Sequence, residues 1–117
     1  MNYYIVPGLK FRQVKVLNSN NIVQSVCDCF GLSLNDLQKK RRNRDLVTAR
    51  HLCYYFLRKY TDSTLKEIGG YFNHDHTTVL HGRDKVDDFI KIKDTVTLSN
   101  IYKIEGLLDE ITRPIYS

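Results

Sequence analysis

Between Thr64 and Lys91 the apolar residues run at helical spacing, stop, and resume, and that interruption constrains the fold more than any other stretch of the chain. Leu65, Ile68 and Phe72 recur at the three- and four-residue intervals of one helix face. Thr64 and Glu67 frame its start as a capping box, each side chain satisfying a backbone amide that a first helical turn leaves without a partner. Gly69-Gly70 permits close approach of another segment, and Asn73-His74 ends the pattern. Asp75 then caps a longer helix, predicted over 76–91, with Val79, Val86, Phe89 and Ile90 facing inward. A short helix, a turn of about three residues and a longer helix with a polar first turn make a helix-turn-helix, whose second helix fits a DNA major groove.

The rest of the chain supplies helices to pack around that unit. Ile22, Val23, Val26 and Phe30 predict a helix over about 21–30, with Ser19 or Asn20 as the cap and Gly31 as the stop. Ser33 and Asp36 open a short helix running to about Lys40, with Leu34 and Leu37 on its apolar edge. Ala49, Leu52, Cys53, Phe56, Leu57 and Tyr60 describe a long helix over about 46–60. Leu98, Ile101, Ile104, Leu108 and Ile111 describe a final one that ends at Arg113-Pro114. Residues 1–18 alternate weakly around Pro7-Gly8 and read as an extended arm or a short strand pair. The expectation is an all-α fold of about six helices containing a helix-turn-helix, with residues 1–19 as an extended arm and 20–117 as the domain.

A length of 117 residues, of which 42% are hydrophobic, is enough for one core and too little for separate cofactor and substrate lobes. No apolar run approaches the roughly 20 residues of a membrane span, and the polar start lacks a signal peptide's apolar stretch, so a cytoplasmic protein is expected. Three cysteines, an odd number, suit a reducing compartment better than a disulfide framework. Cys27 and Cys29 do not make a closed zinc set, and Cys53 sits on an apolar helix face where a reactive thiolate is disfavoured. His76 and His81 stand about 140° apart around a helix and, with His74, do not converge on a metal. Asp87-Asp88 reads as solvated helix surface, and no glycine-rich phosphate loop is present. The chain is therefore expected to bind without catalysis, and without metal, cofactor or nucleotide.

The formal net charge is +5, but its distribution says more than its total. Residues 1–20 carry +3, residues 21–62 carry +4 and residues 63–117 carry −2. Lys39, Lys40, Arg41, Arg42 and Arg44 crowd five cations into six residues, a cluster that calls for a polyanion unless it is merely a solvated loop. In a helix-turn-helix only exposed groups at the start of the second helix reach base edges, and here these are Asp75, His76, Thr77 and Thr78.

The run Leu65-Lys66-Glu67-Ile68-Gly69, Phe72 and Asp75-His76-Thr77-Thr78-Val79-Leu80-His81, together with Ala49-Arg50-His51 and Lys40-Arg41-Arg42-Asn43-Arg44, resembles the C-terminal DNA-binding domain of bacterial DnaA replication initiators over roughly residues 20–111. The resemblance implies a TrpR-like helix-turn-helix that reads a short double-stranded origin site, the DnaA box, through both grooves. It implies Asp75, His76, Thr77 and Thr78 as major-groove readers, and Arg42 as the minor-groove arginine in the loop shared with Lys40, Arg41 and Arg44. Arg50, Arg58, Thr61 and His81 match positions that hold backbone phosphates. The chemistry agrees: a carboxylate accepts from cytosine, an imidazole donates to a purine edge, threonine methyls pack on thymine methyls, and a guanidinium suits a narrow minor groove.

One departure lies in the turn. Where the family usually has Phe-Gly-Gly-Arg before Asp-His, this chain has Phe72-Asn73-His74, one residue shorter and without the arginine. The implied partner is double-stranded DNA, with no membrane and no nucleotide, and the implied setting is the nucleoid. A monomer is expected, with pairing of two copies through the N-terminal arm as the alternative. The competing readings are a protein-interaction module on the same fold and a non-specific binder that uses the basic run alone, which would show steep salt dependence and little sequence preference.

Overall fold

The computed structural model describes residues 17–40 and 42–111, which form six helices: α1 (Ser19–Phe30), α2 (Leu34–Gln38), α3 (Arg44–Tyr60), α4 (Leu65–Phe72), α5 (His76–Lys91) and α6 (Thr95–Ile111). The described residues contain no strand. The expected arm falls almost wholly outside them, as do Arg41 and the Arg113-Pro114 terminus.

Each helix begins where a polar side chain can take an amide of its first turn. Asn18 caps α1 by accepting from the Asn21 amide at 2.8 Å, and Asn43 caps α3 by accepting from Leu46 at 2.9 Å. Such caps are each worth about 1 kcal/mol. Ser33 with Asp36, and Thr64 with Glu67, form the two expected capping boxes. The α1 cap is Asn18 rather than Ser19 or Asn20, for a reason outside the helix. Only that choice puts Leu17 and Ile22 at the two positions of a hydrophobic staple, and both are fully buried. At α3 the cap Asn43 makes Arg44 the first residue of the helix, although the sequence pattern places Arg44 in the loop and starts the helix at about residue 46.

α3 is the central element. Its buried face of Leu46, Ala49, Leu52, Cys53, Tyr54, Phe56 and Leu57 meets α1, α2, α4 and α5. Each large side chain buried there contributes roughly 1.5–3 kcal/mol. α6 lies mainly on α1 and touches α5 only lightly. Cys27 and Cys53 are buried free thiols, and burial pushes the Cys53 thiol far above its ordinary range.

Two inward assignments do not hold. Phe89 is 36% and Leu98 38% exposed, joining Ile92 and Val96 on an open corner where α5 ends and α6 begins. α6 packs mainly on α1, so these side chains are only partly covered, Phe89 and Val96 bordering a cleft with Thr48 and Leu52 of α3. Of the glycine pair, only Gly69 serves a close approach. A Cβ there would lie 2.3 Å from the His74 carbonyl oxygen, whereas one on Gly70 would meet nothing within 4 Å.

Candidate nucleic-acid interface

The helix-turn-helix consists of α4, a three-residue turn and α5. Asn73 takes the left-handed conformation (φ 60°), the residue after His74 is the cap, and the His74 amide donates to the Gly69 carbonyl at 2.8 Å. Asparagine is among the few side chains that tolerate this backbone, so the turn closes without the family's glycine pair. Asp75 Oδ1 accepts from the Thr78 amide at 2.8 Å, and this bond to its charged form holds the carboxyl below the usual carboxylate range.

Val79, Gly82 and Val86 are the buried residues of α5. With that face committed to the core, Asp75, His76, Thr77 and Thr78 are all exposed on the first turn. His81 is exposed too, three residues after Thr78 and four after Thr77, so it continues the same surface. Gly82 lets α5 come this close to α3: a Cβ there would sit 2.7 Å from ring atoms of both His51 and Tyr54.

The structure joins part of the basic loop to the start of α5. Arg42, Val47, Arg50, His51, Tyr54, His74 and Thr78 line one cleft of about 310 Å³. Thus the candidate minor-groove arginine and a candidate base reader border the same hollow. Lys40, Arg42 and Arg44 are exposed, while Arg41 lies outside the described residues. Arg44 faces a different cleft, with Thr48, Val86 and Val96.

Arg50 is buried, 6% exposed, and its Nε donates to the Leu37 carbonyl at 2.7 Å while Nη2 donates to that of Lys39. It therefore ties the end of α2, and with it the start of the basic loop, to α3. Arg58 and Thr61 lie near the other end of α3, Arg58 roughly 12 Å further along its axis than Arg50. Arg58 donates to the Ser63 carbonyl at 2.8 Å and the Thr61 hydroxyl to the Leu57 carbonyl at 2.5 Å, so both also shape the α3–α4 turn.

The sequence marks neither His51 nor His74 as a DNA-contacting residue, yet both face the cleft. Desolvation lowers the basicity of both, and neighbouring cations add to it: Lys85 and Arg50 for His51, Arg50 for His74, where Asp75 partly opposes the shift. The signal for His51 was present in Val47, Arg50, His51 and Tyr54, which share one stripe of α3 at helical spacing. His74 gave no such signal, because its partner is 20 residues away in the sequence. Among the described residues no three His, Cys, Asp or Glu side chains converge as a metal site, and no helix is long and apolar enough to cross a membrane.

Residues 19–86 match a family model described as the bacterial dnaA protein helix-turn-helix. Among similar proteins, the chromosomal replication initiator protein DnaA of Oenococcus oeni is 40% identical over 88 residues, covering 74% of this chain and 20% of the relative. That of Gloeobacter violaceus is 46% identical over 74 residues, covering 62% and 16%. That of Bacteroides thetaiotaomicron is 32% identical over 106 residues, covering 90% and 22%. The chain thus spans about a fifth of the length of these relatives.

Proposed function

The chain belongs to the bacterial DnaA helix-turn-helix family, a DNA-binding module, and we propose that it reads a short double-stranded DnaA-box-like site through base edges, in replication initiation or its control. The observation that carries this reading is the exposed first turn of α5, Asp75 to Thr78, whose last residue lines one cleft with Arg42. α5 lies in the major groove and the basic segment with Lys40 and Arg42, which leads to Arg44 at the start of α3, follows the adjacent minor groove. Asp75, His76, Thr77 and Thr78 select bases, and Arg42 selects a narrow, electronegative minor groove. Arg58, Thr61 and His81 hold phosphates and fix register, and any phosphate contact of Arg50 is made by a side chain already occupied with the loop.

The activity is docking without catalysis or ATP hydrolysis, by a monomer on nucleoid DNA. A DnaA-box duplex and a scrambled duplex of equal length, titrated by fluorescence anisotropy at physiological salt, test it. Tighter binding to the box by about 10³-fold or more is the expected result. Equal and steeply salt-dependent binding to both would leave only the electrostatic reading, and no binding to either would leave the protein-interaction reading.

A further inference from the structure

We propose that His74 is a positioning residue for base readout: by bonding Tyr54 it seats the start of α5 on α3, so that the readers of α5 and Arg42 meet one duplex in a fixed relation. The inference rests on the reading that α5 occupies the major groove.

The backbone of the turn is fixed first. The His74 amide bonds the Gly69 carbonyl, and its own carbonyl packs so closely on Gly69 that no side chain fits between them. With the main chain held against α4, the imidazole extends to α3, where Nδ1 meets the Tyr54 hydroxyl at 2.5 Å. Tyr54 is buried at 1% exposure, edge-on to Phe72 at the end of α4 and to the His74 ring, with centroids 5.5 and 6.2 Å apart. It also faces Gly82 of α5 at close range. One side chain of α3 thereby touches both helices of the motif and the turn between them.

The apolar contacts of Tyr54 set a distance between helices but leave the turn free to slide along the ring. The hydrogen bond removes that freedom, because a buried phenol hydroxyl that loses its acceptor is costly. Neutral His74 with Nδ1 unprotonated is the acceptor the hydroxyl needs, and desolvation favours the neutral ring. The same imidazole borders the cleft between Arg42 and Thr78, so a shift of the turn alters the spacing between the two grooves' readers.

Binding-site selection on the wild-type chain defines a preferred duplex, and the affinity ratio of that duplex over a scrambled one is then measured for His74→Ala, His74→Asn and Tyr54→Phe, each checked by thermal melting. His74→Ala and Tyr54→Phe should each lower the ratio about tenfold without weakening binding to the scrambled duplex, and the double variant should be no worse than either alone. His74→Asn, whose Oδ1 occupies the place of Nδ1, should restore most of the ratio. A folded His74→Ala with the wild-type ratio overturns the inference, as does a Tyr54→Phe with the wild-type ratio, or a His74→Asn as impaired as His74→Ala. If His74→Ala does not fold, the volume-preserving Tyr54→Phe decides. A wild-type chain with no preferred duplex overturns the base-readout reading and this inference together, whereas a preference that survives in the variants overturns this inference alone.

Discussion

The turns before and after α5 are built by the same local chemistry and end in different situations. In the first, Asn73 takes the left-handed backbone (φ 60°) and Asp75 caps the next helix through the Thr78 amide. In the second, Lys93 takes it (φ 57°) and Asp94 caps through the Thr97 amide and hydroxyl. The first turn has one residue more between the left-handed position and the cap, and that residue is His74. It reaches Tyr54 and ties its turn into α3, while the second turn stands among the exposed Phe89, Ile92, Val96 and Leu98. Local sequence is enough to close a turn, but only a long-range partner gives it a fixed direction.

The comparison breaks most sharply at the glycines. Gly69→Ala drives a Cβ into the His74 carbonyl, a backbone atom that cannot step aside, and should cost about 3 kcal/mol. Gly82→Ala meets two aromatic rings and should cost about 2 kcal/mol, whereas Gly70→Ala, with open space and a helical backbone, should stabilise by about 0.5 kcal/mol. Urea unfolding of the three variants measures this, and equal effects at Gly69 and Gly70 would mean the first turn is not pressed against α4.

The two caps sharpen the contrast next. Asp75→Ala and Asp94→Ala each remove one equivalent cap and should lower Tm by similar small amounts. Only Asp75→Ala should change site selection, with about a tenfold loss on the preferred duplex. A changed selection profile in Asp94→Ala would move the reading surface to the other turn.

pH separates stability from binding. His51 faces Arg50 and Tyr54 on its own helix, Lys85 from α5 and His74 from the turn; His74 faces Arg50, Tyr54 and Asp75. Both imidazoles are less basic than their ordinary 6.5, so the unfolded chain takes up these protons first. Their contribution to stability is complete above 6.5 and is lost as pH falls from that value towards the lowered folded values. DNA phosphates favour the charged rings, so affinity for a scrambled duplex should rise over the same window, by about threefold between pH 7.5 and 5.5, while the preference for the selected duplex falls as protonated His74 stops accepting from Tyr54. Melting and anisotropy curves across that range test the opposed signs, and His51→Gln should flatten both. An effect as small as that of Gly70→Ala belongs to the second turn, where Lys93→Gly should relieve the left-handed backbone and stabilise by about 0.5 kcal/mol, read as a rise in Tm.

What the sequence determined by itself is what acts within about four residues. The capping boxes at Ser33/Asp36 and Thr64/Glu67, the cap at Asp75 and the helix faces of α1 to α4 were all legible, because amide satisfaction and helical periodicity are local. The exposed first turn of α5 was legible for the same reason, since it follows from a cap and an inward face. What lay beyond that range only the tertiary structure decided. Phe89 and Leu98 keep the spacing of a buried face, yet full burial needs an element opposite, and α6 packs mainly on α1. Arg50 reads as a surface cation, yet it meets carbonyls 11 and 13 residues away. His74 reads as part of a loop, yet it completes a buried tyrosine, because a hydroxyl removed from water takes whichever acceptor the packing brings to it.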